Sequence, residues 1–170
     1  SYREHSMPTA PARMIEKAAE MLRNAKAPVI VIGGGIKNSG GQAEALALAE
    51  ALNTPIIMAP GHGDAIPFGH PLNAGQMGPR GNMVASRLAR EADVILALGT
   101  RLGFNSTFYS YDNINADAAI IQVELEATAI GRYFPIAMGI WAEVRETAKE
   151  LTKAVTTLQG RAEVDEWTAQ

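Results

Sequence analysis

The sequence has no cysteine. That single absence removes disulfide frameworks, thiolate nucleophiles, iron–sulfur clusters and cysteine-ligated zinc. Histidine is scarce: His5, His62 and His70 form no HExxH or comparable pair, so a histidine-based metal site has little local support. Excess positive charge is also missing. Lysine and arginine total 15 against 18 aspartates and glutamates, a net charge of −3, and no basic cluster stands ready to neutralise a phosphate backbone. Nucleic acid is therefore not an expected partner. No apolar run approaches the ~20 residues that cross a bilayer, and the opening SYREHSMPTAPAR lacks the apolar core of a signal peptide. The chain reads as soluble, away from membranes and cytoplasmic. Any chemistry must come from oxygen, nitrogen or a borrowed cofactor.

What is present is enough for one domain, since 170 residues support a real core without staples. Residues 1–8 are polar, end in proline and read as a linker. From Thr9 the pattern becomes helical, with Thr9 as a candidate N-cap, Pro11 in the first turn and Ile15, Ala18, Ala19 and Leu22 at helical spacing, up to about Ala25. Val29–Ile32 is a short β-branched run closed by three glycines, the signature of a strand buried on both faces. Ser39-Gly-Gly-Gln42 has the form of a capping box ahead of a stripe of Ala45, Leu48, Ala49 and Leu52. Ile56–Ala59 is a second buried strand.

Residues 61–81 are rich in glycine and proline and show no period. Loops of that length are uncommon in a compact domain unless they bind something, which makes this a first place to look for function. Asn82 caps a helix carrying Val84, Leu88 and Ala92. Asp93–Leu98 and Ala119–Glu124 are further strands, Ile136–Ile140 is a weak one, and a last helix aligns Val144, Ala148, Leu151, Val155 and Leu158. Residues 159–170 lose the stripe and read as a second linker, so both ends look like interrupted connections. Strands that are apolar throughout and alternate with helices predict a doubly wound parallel sheet of about five to six strands with helices on both faces. The expected fold is Rossmann-like.

Such sheets bind ligands at the carboxyl ends of their strands, and the candidate residues gather there. Gly33, Gly34 and Gly35 follow the first strand, where a pyrophosphate would meet helical N–H groups, or where glycine merely permits a tight turn. The dinucleotide fingerprint is incomplete, because Asn38 stands where its last glycine belongs and no acid closes the second strand. Gly99 and Arg101 end the third strand. The Arg101 fork suits a phosphate equally with a neighbouring acid. Glu124 and Glu126 suit ribose hydroxyls or plain solvent. His62 reads as a loop histidine with a structural hydrogen bond, since no G-x-S-x-G serine is there to use it. Phe104, Phe108, Tyr109 and Tyr111 read as filling for their own loop or a subunit contact.

The ordered set of motifs resembles one family. These are APVIVIGGGI at 27–36, LNTPI at 52–56, IPFGHP at 66–71, GQMG at 75–78, ADVILALGTRL at 92–102 and IIQVE at 120–124 followed by Ile130-Gly131. Together they resemble the central domain of thiamine-diphosphate-dependent enzymes of the acetolactate synthase and pyruvate decarboxylase type, over residues 9–158. HGDAIP at 62–67 and GTRLG at 99–103 look most like the sulfoacetaldehyde acetyltransferase branch. The resemblance implies the DHS-like nucleotide-binding form of the Rossmann-like fold, with thiamine diphosphate and magnesium held by flanking domains. Those domains carry a glutamate on the N-terminal side and a Gly-Asp-Gly…Asn motif on the C-terminal side, and neither element is in this chain. It implies a central domain that is mainly structural and inactive alone, and a parent enzyme acting on a 2-keto acid or sulfoacetaldehyde-type substrate as a homodimer or homotetramer. Some members bind FAD or ADP on this domain, at positions that match Gly33, Gly34, Gly35, Gly99, Arg101, Gln122 and Glu124. Leu102 and Glu124 depart from the Phe and Asp of flavin-binding members. The alternative to the thiamine-enzyme reading is a stand-alone nucleotide-binding module of the FAD or ADP type.

Overall fold

Runs of branched aliphatic residues lose little on entering a pleated sheet and gain most when both faces are covered. Four such runs build the centre of the molecule. The computed structural model describes residues 6–103, 106, 111–158 and 167–169. In chain order the elements are α1 (Ala12–Asn24), β1 (Pro28–Ile32), α2 (Gly34–Ser39), α3 (Gln42–Leu52), β2 (Ile56–Met58), β3 (Asn73–Gln76), α4 (Met83–Glu91), β4 (Val94–Leu98), β5 (Ala119–Glu124), β6 (Met138–Trp141) and α5 (Val144–Thr157). The strands form one parallel sheet in the order β3-β2-β1-β4-β5-β6. The winding reverses between β1 and β4, which pair in unbroken register from Pro28 with Val94 to Ile32 with Leu98.

Alternate residues of each strand feed two cores. Ile30, Ile32, Leu96, Leu98, Ile121 and Val123 face α1, α3 and α5. Val29, Val31, Ile95, Ala97 and Ile120 face α4, Leu102, Ile114 and Phe134. The doubly wound class expected from the sequence is therefore the observed one.

Several local expectations need correcting. Thr9 is not the α1 cap: Pro11 takes that position with no side-chain cap bond, its fixed φ already suiting a helix start. Ser39 does not open a capping box. It ends the short α2, its hydroxyl donates back to the Ile36 carbonyl, and Gly40 in the left-handed region (φ 66°) turns the chain into α3. Within residues 61–81 lies β3, an edge strand with no apolar signal. Val84, expected on the buried side of its helix, is exposed, and the buried stripe is Ala85, Leu88 and Ala89. The weak strand sits slightly later than expected, at Met138–Trp141.

The segment expected to be a C-terminal linker also contributes to the body. Trp167 is buried in the second core, and its indole Nε1 donates to the Pro28 carbonyl at 2.8 Å. An indole buries a large apolar area and brings one donor that must be satisfied, and the first strand supplies the acceptor. Phe104, Phe108, Tyr109 and the side chain of Tyr111 lie outside the described residues.

Candidate functional site

The reversal of winding opens a crevice at the carboxyl edge of the sheet, because the loops after β1 and β4 leave toward opposite faces. A cavity of about 1000 Å³ occupies it. Its wall is built by the ends of β1 (Gly33–Gly35), β2 (Ala59, Pro60, His62), β4 (Gly99–Arg101) and β5 (Glu124–Glu126), with the first turn of α5 across from them.

The glycines at the bottom of this cavity are explained by contact between two stretches of backbone. A Cβ added to Gly35 would lie 2.6 Å from the Gly99 Cα, and one on Gly33 would lie 2.6 Å from the Gly99 oxygen. Gly99 itself sits at φ 59°. The two strand ends are then tied together, Gly33 N–H donating to Leu98 O at 3.1 Å and Gly35 N–H to Gly99 O at 2.9 Å. Those two donors are thereby used within the protein. Gly34 faces the His62 ring, whose Cε1 would stand 3.2 Å from an added Cβ. His62 Nδ1 is buried without a hydrogen-bond partner. The ring therefore lacks, at that atom, the structural bond expected of it.

After Gly99 the chain makes a tight turn. Leu102 takes a left-handed conformation (φ 51°), supported by its N–H bond to the Thr100 hydroxyl, and puts its side chain into the second core. Arg101 is left on the outside, 57% exposed, where it pairs with Glu126. Both roles stood open for Arg101 in the sequence; in the structure it holds the acid. Glu124 folds back, one carboxylate oxygen accepting from the backbone N–H groups of Leu125 and Glu126.

Gln122 lies away from the cavity wall. It is 2% exposed, donates to Thr100 O and Ala129 O, and accepts from Gly131 N–H at 2.8 Å. An amide so placed satisfies carbonyls that would otherwise be buried and unpaired, and it fastens the β4 turn to the turn after β5. Gly33, Gly34, Gly35, Gly99, Arg101 and Glu124 are therefore brought together at one edge, while Gln122 braces them from beneath.

Sequence reasoning missed the opposite wall. Glu143 is the N-cap of α5, and its carboxylate accepts from Arg145 and Glu146 N–H at 3.1 and 2.7 Å. The positive end of that helix is thus already met by an anion. Arg145 reaches Glu44 of α3 at 2.7 Å, and this guanidinium holds the Glu44 carboxyl below the usual carboxylate range. On the near side, Lys37 does the same to Asp64 beside His62. A local signal for the cap was present in Glu143 standing just before the apolar stripe of α5; only the fold brings it to the cavity.

Comparison with known proteins places the chain in a family. The model for the thiamine pyrophosphate enzyme central domain matches residues 15–151. The chain is 37% identical over 161 residues to a sulfoacetaldehyde acetyltransferase of Roseovarius nubinhibens, covering 94% of this chain and 27% of that protein. It is 30% identical to a 3D-(3,5/4)-trihydroxycyclohexane-1,2-dione hydrolase of Bacillus subtilis, covering 93% of this chain and 25% of the hydrolase. It thus spans about a quarter of the length of these relatives. Among solved structures, one from Mycobacterium smegmatis assigned as a thiamin diphosphate-dependent enzyme superposes with a TM-score of 0.76 at 18% identity. The superposition covers 96% of this chain and 31% of that one, and it shows the shared fold.

Proposed function

The chain belongs to the thiamine pyrophosphate enzyme central-domain family, and from that premise we propose that it is the middle domain of a thiamine-diphosphate- and magnesium-dependent enzyme. The parent reaction is acyl transfer, decarboxylation or carboligation on a 2-keto acid or sulfoacetaldehyde-type substrate. One observation carries this reading: 94% of the chain aligns to a sulfoacetaldehyde acetyltransferase of which it makes up only 27%.

The described residues do not fit the thiamine cofactor. Among them no group of three histidines, aspartates or glutamates is placed to hold a metal ion. Glu44 and Asp64 are held below the usual carboxylate range by Arg145 and Lys37, the opposite direction from what a proton-storing acid needs. Cofactor and metal are assigned to flanking domains, and this domain is assigned the spacing between them. The path of the chain supports that role. The Pro8 carbonyl accepts from Glu143 N–H at the carboxyl edge, whereas Trp167 docks on Pro28 at the amino edge, so these two described segments lie at opposite ends of the sheet.

In this reading residues 1–8 connect to an upstream domain and 9–158 form the body, on which Trp167 and Thr168 also dock. The enzyme works as a homodimer or homotetramer in the cytoplasm. Among the described residues no helix is long and apolar enough to cross a membrane. The function so proposed requires neither FAD nor ADP on this domain.

Calorimetry with thiamine diphosphate and Mg²⁺ tests the proposal. The 170 residues alone are expected not to bind, and a longer protein carrying them is expected to bind and to turn over sulfoacetaldehyde or a 2-keto acid. Binding by the 170 residues alone, or a longer protein without cofactor-dependent turnover of either substrate class, would refute it.

A further inference from the structure

A parallel α/β sheet ordinarily receives anions at its switch point, because strand-end N–H groups and helix N-termini face the crevice. In this chain many of those donors are already engaged. Gly33 and Gly35 N–H are taken by Leu98 and Gly99 carbonyls, and the Arg145 and Glu146 N–H groups by the Glu143 carboxylate. Among the described residues of the wall, the arginines are both engaged, Arg145 with Glu44 and Arg101 with Glu126. The same wall carries four carboxylates, Glu124, Glu126, Glu143 and Glu146. FAD and ADP therefore do not fit as the residues stand.

We propose that Glu126 determines the ligand class of this cavity by withholding Arg101 from phosphate, so that the site discriminates against nucleoside diphosphates. An exposed ion pair is weak in itself, so pairing alone would not exclude a tight ligand. The exclusion comes from where the carboxylate must go when the pair opens. Its second oxygen accepts from the Thr128 hydroxyl at 3.0 Å, which holds Glu126 beside the guanidinium. A diphosphate arriving at Arg101 meets that charge at close range, in a cavity whose wall also carries Glu124, Glu143 and Glu146. A neutral or cationic guest meets no such barrier. The inference rests on the cavity alone and stands apart from the proposed parent reaction.

The test uses Glu126→Gln, which keeps an oxygen for Thr128 while replacing the charge that faces Arg101 with an amide. Both residues are on the surface, with side chains about half exposed, and the two cores do not include them. Circular dichroism and the melting temperature verify folding. ADP, inorganic diphosphate and adenosine are titrated by calorimetry into the chain, into Glu126→Gln and into the double variant Arg101→Gln/Glu126→Gln.

The expected result is at least fivefold tighter binding of ADP and of diphosphate by Glu126→Gln than by the chain, no gain for adenosine, and loss of the gain in the double variant. Equal affinity of the chain and Glu126→Gln for ADP, including no binding by either, would overturn the proposal. So would a gain that extends to adenosine or survives without Arg101.

Discussion

The β1–β4 seam and the β2–β3 edge are both parallel pairings, yet they are held together by different means. At the seam five consecutive pairs run in register between strands that are buried throughout. Hydrophobic burial on both faces sets that register, and glycine lets the strand ends touch. At the edge the register shifts between Ile56 and Met58, and all four residues of β3 are only partly buried. There, side-chain amides do the fastening. Asn73 donates to Ile66 O and Pro67 O, Gln76 accepts from Gly61 N–H, and Asn82 both caps α4 and donates to Ala74 O. A seam held by apolar area depends on filling its two cores, whereas an edge held by specific hydrogen bonds depends on individual donors.

The largest expected effect is at the seam. Trp167→Ala removes a buried indole and leaves the Pro28 carbonyl without its donor, and a loss of about 3 kcal/mol is expected in chemical denaturation. A loss below about 1 kcal/mol would mean that Trp167 adds little to the body. Next comes the edge. Asn82→Ala deletes the α4 cap and the bond to Ala74, at an expected cost of about 1 kcal/mol. Hydrogen exchange should rise in β3 and α4 ahead of β1 and β4. Equal rises in all of these elements would break the distinction between seam and edge.

The smallest effect joins α3 to α5. Arg145 lowers the affinity of Glu44 for protons in the folded chain, so the stabilisation is fully present above the ordinary carboxylate value and is lost as pH falls through the lowered folded-state value. Glu44→Gln should lower the melting temperature slightly near neutral pH. Once the medium is acid enough to protonate Glu44 in the folded chain, the variant and the parent should melt together. A difference that persists in acid would mean the pair acts through packing.

The same contrast explains what could be read in advance. β1 and β4 were legible because a strand buried on both faces is apolar at every position, and β5 because Ala119, Ile120, Ile121 and Val123 keep most of that run despite the buried Gln122. β3 was not, since Asn-Ala-Gly-Gln carries no pattern and its pairing depends on the neighbouring strand. Ser39 satisfied the form of a capping box while the left-handed Gly40 next to it ended one helix and freed the serine to bond backward. In the candidate site the glycines and Arg101 were visible as residues at strand ends. Their partners Leu98, Gly99 and Glu126 became visible only once the strands were ordered.

Sequence alone determined the layers of this protein, because burial on both faces of a strand and on one stripe of a helix leaves a periodic trace along the chain. It also carried the ordered motifs that resemble the family to which the chain belongs. Tertiary structure decided the rest: the strand order that makes the crevice, the burial of Trp167, and whether each charge at the cavity faces a ligand or another residue. Those outcomes join residues far apart in the chain, such as Glu44 with Arg145 and Pro28 with Trp167. No local pattern encodes them, because an ion pair or a plugged core depends on distance in space, which packing alone sets.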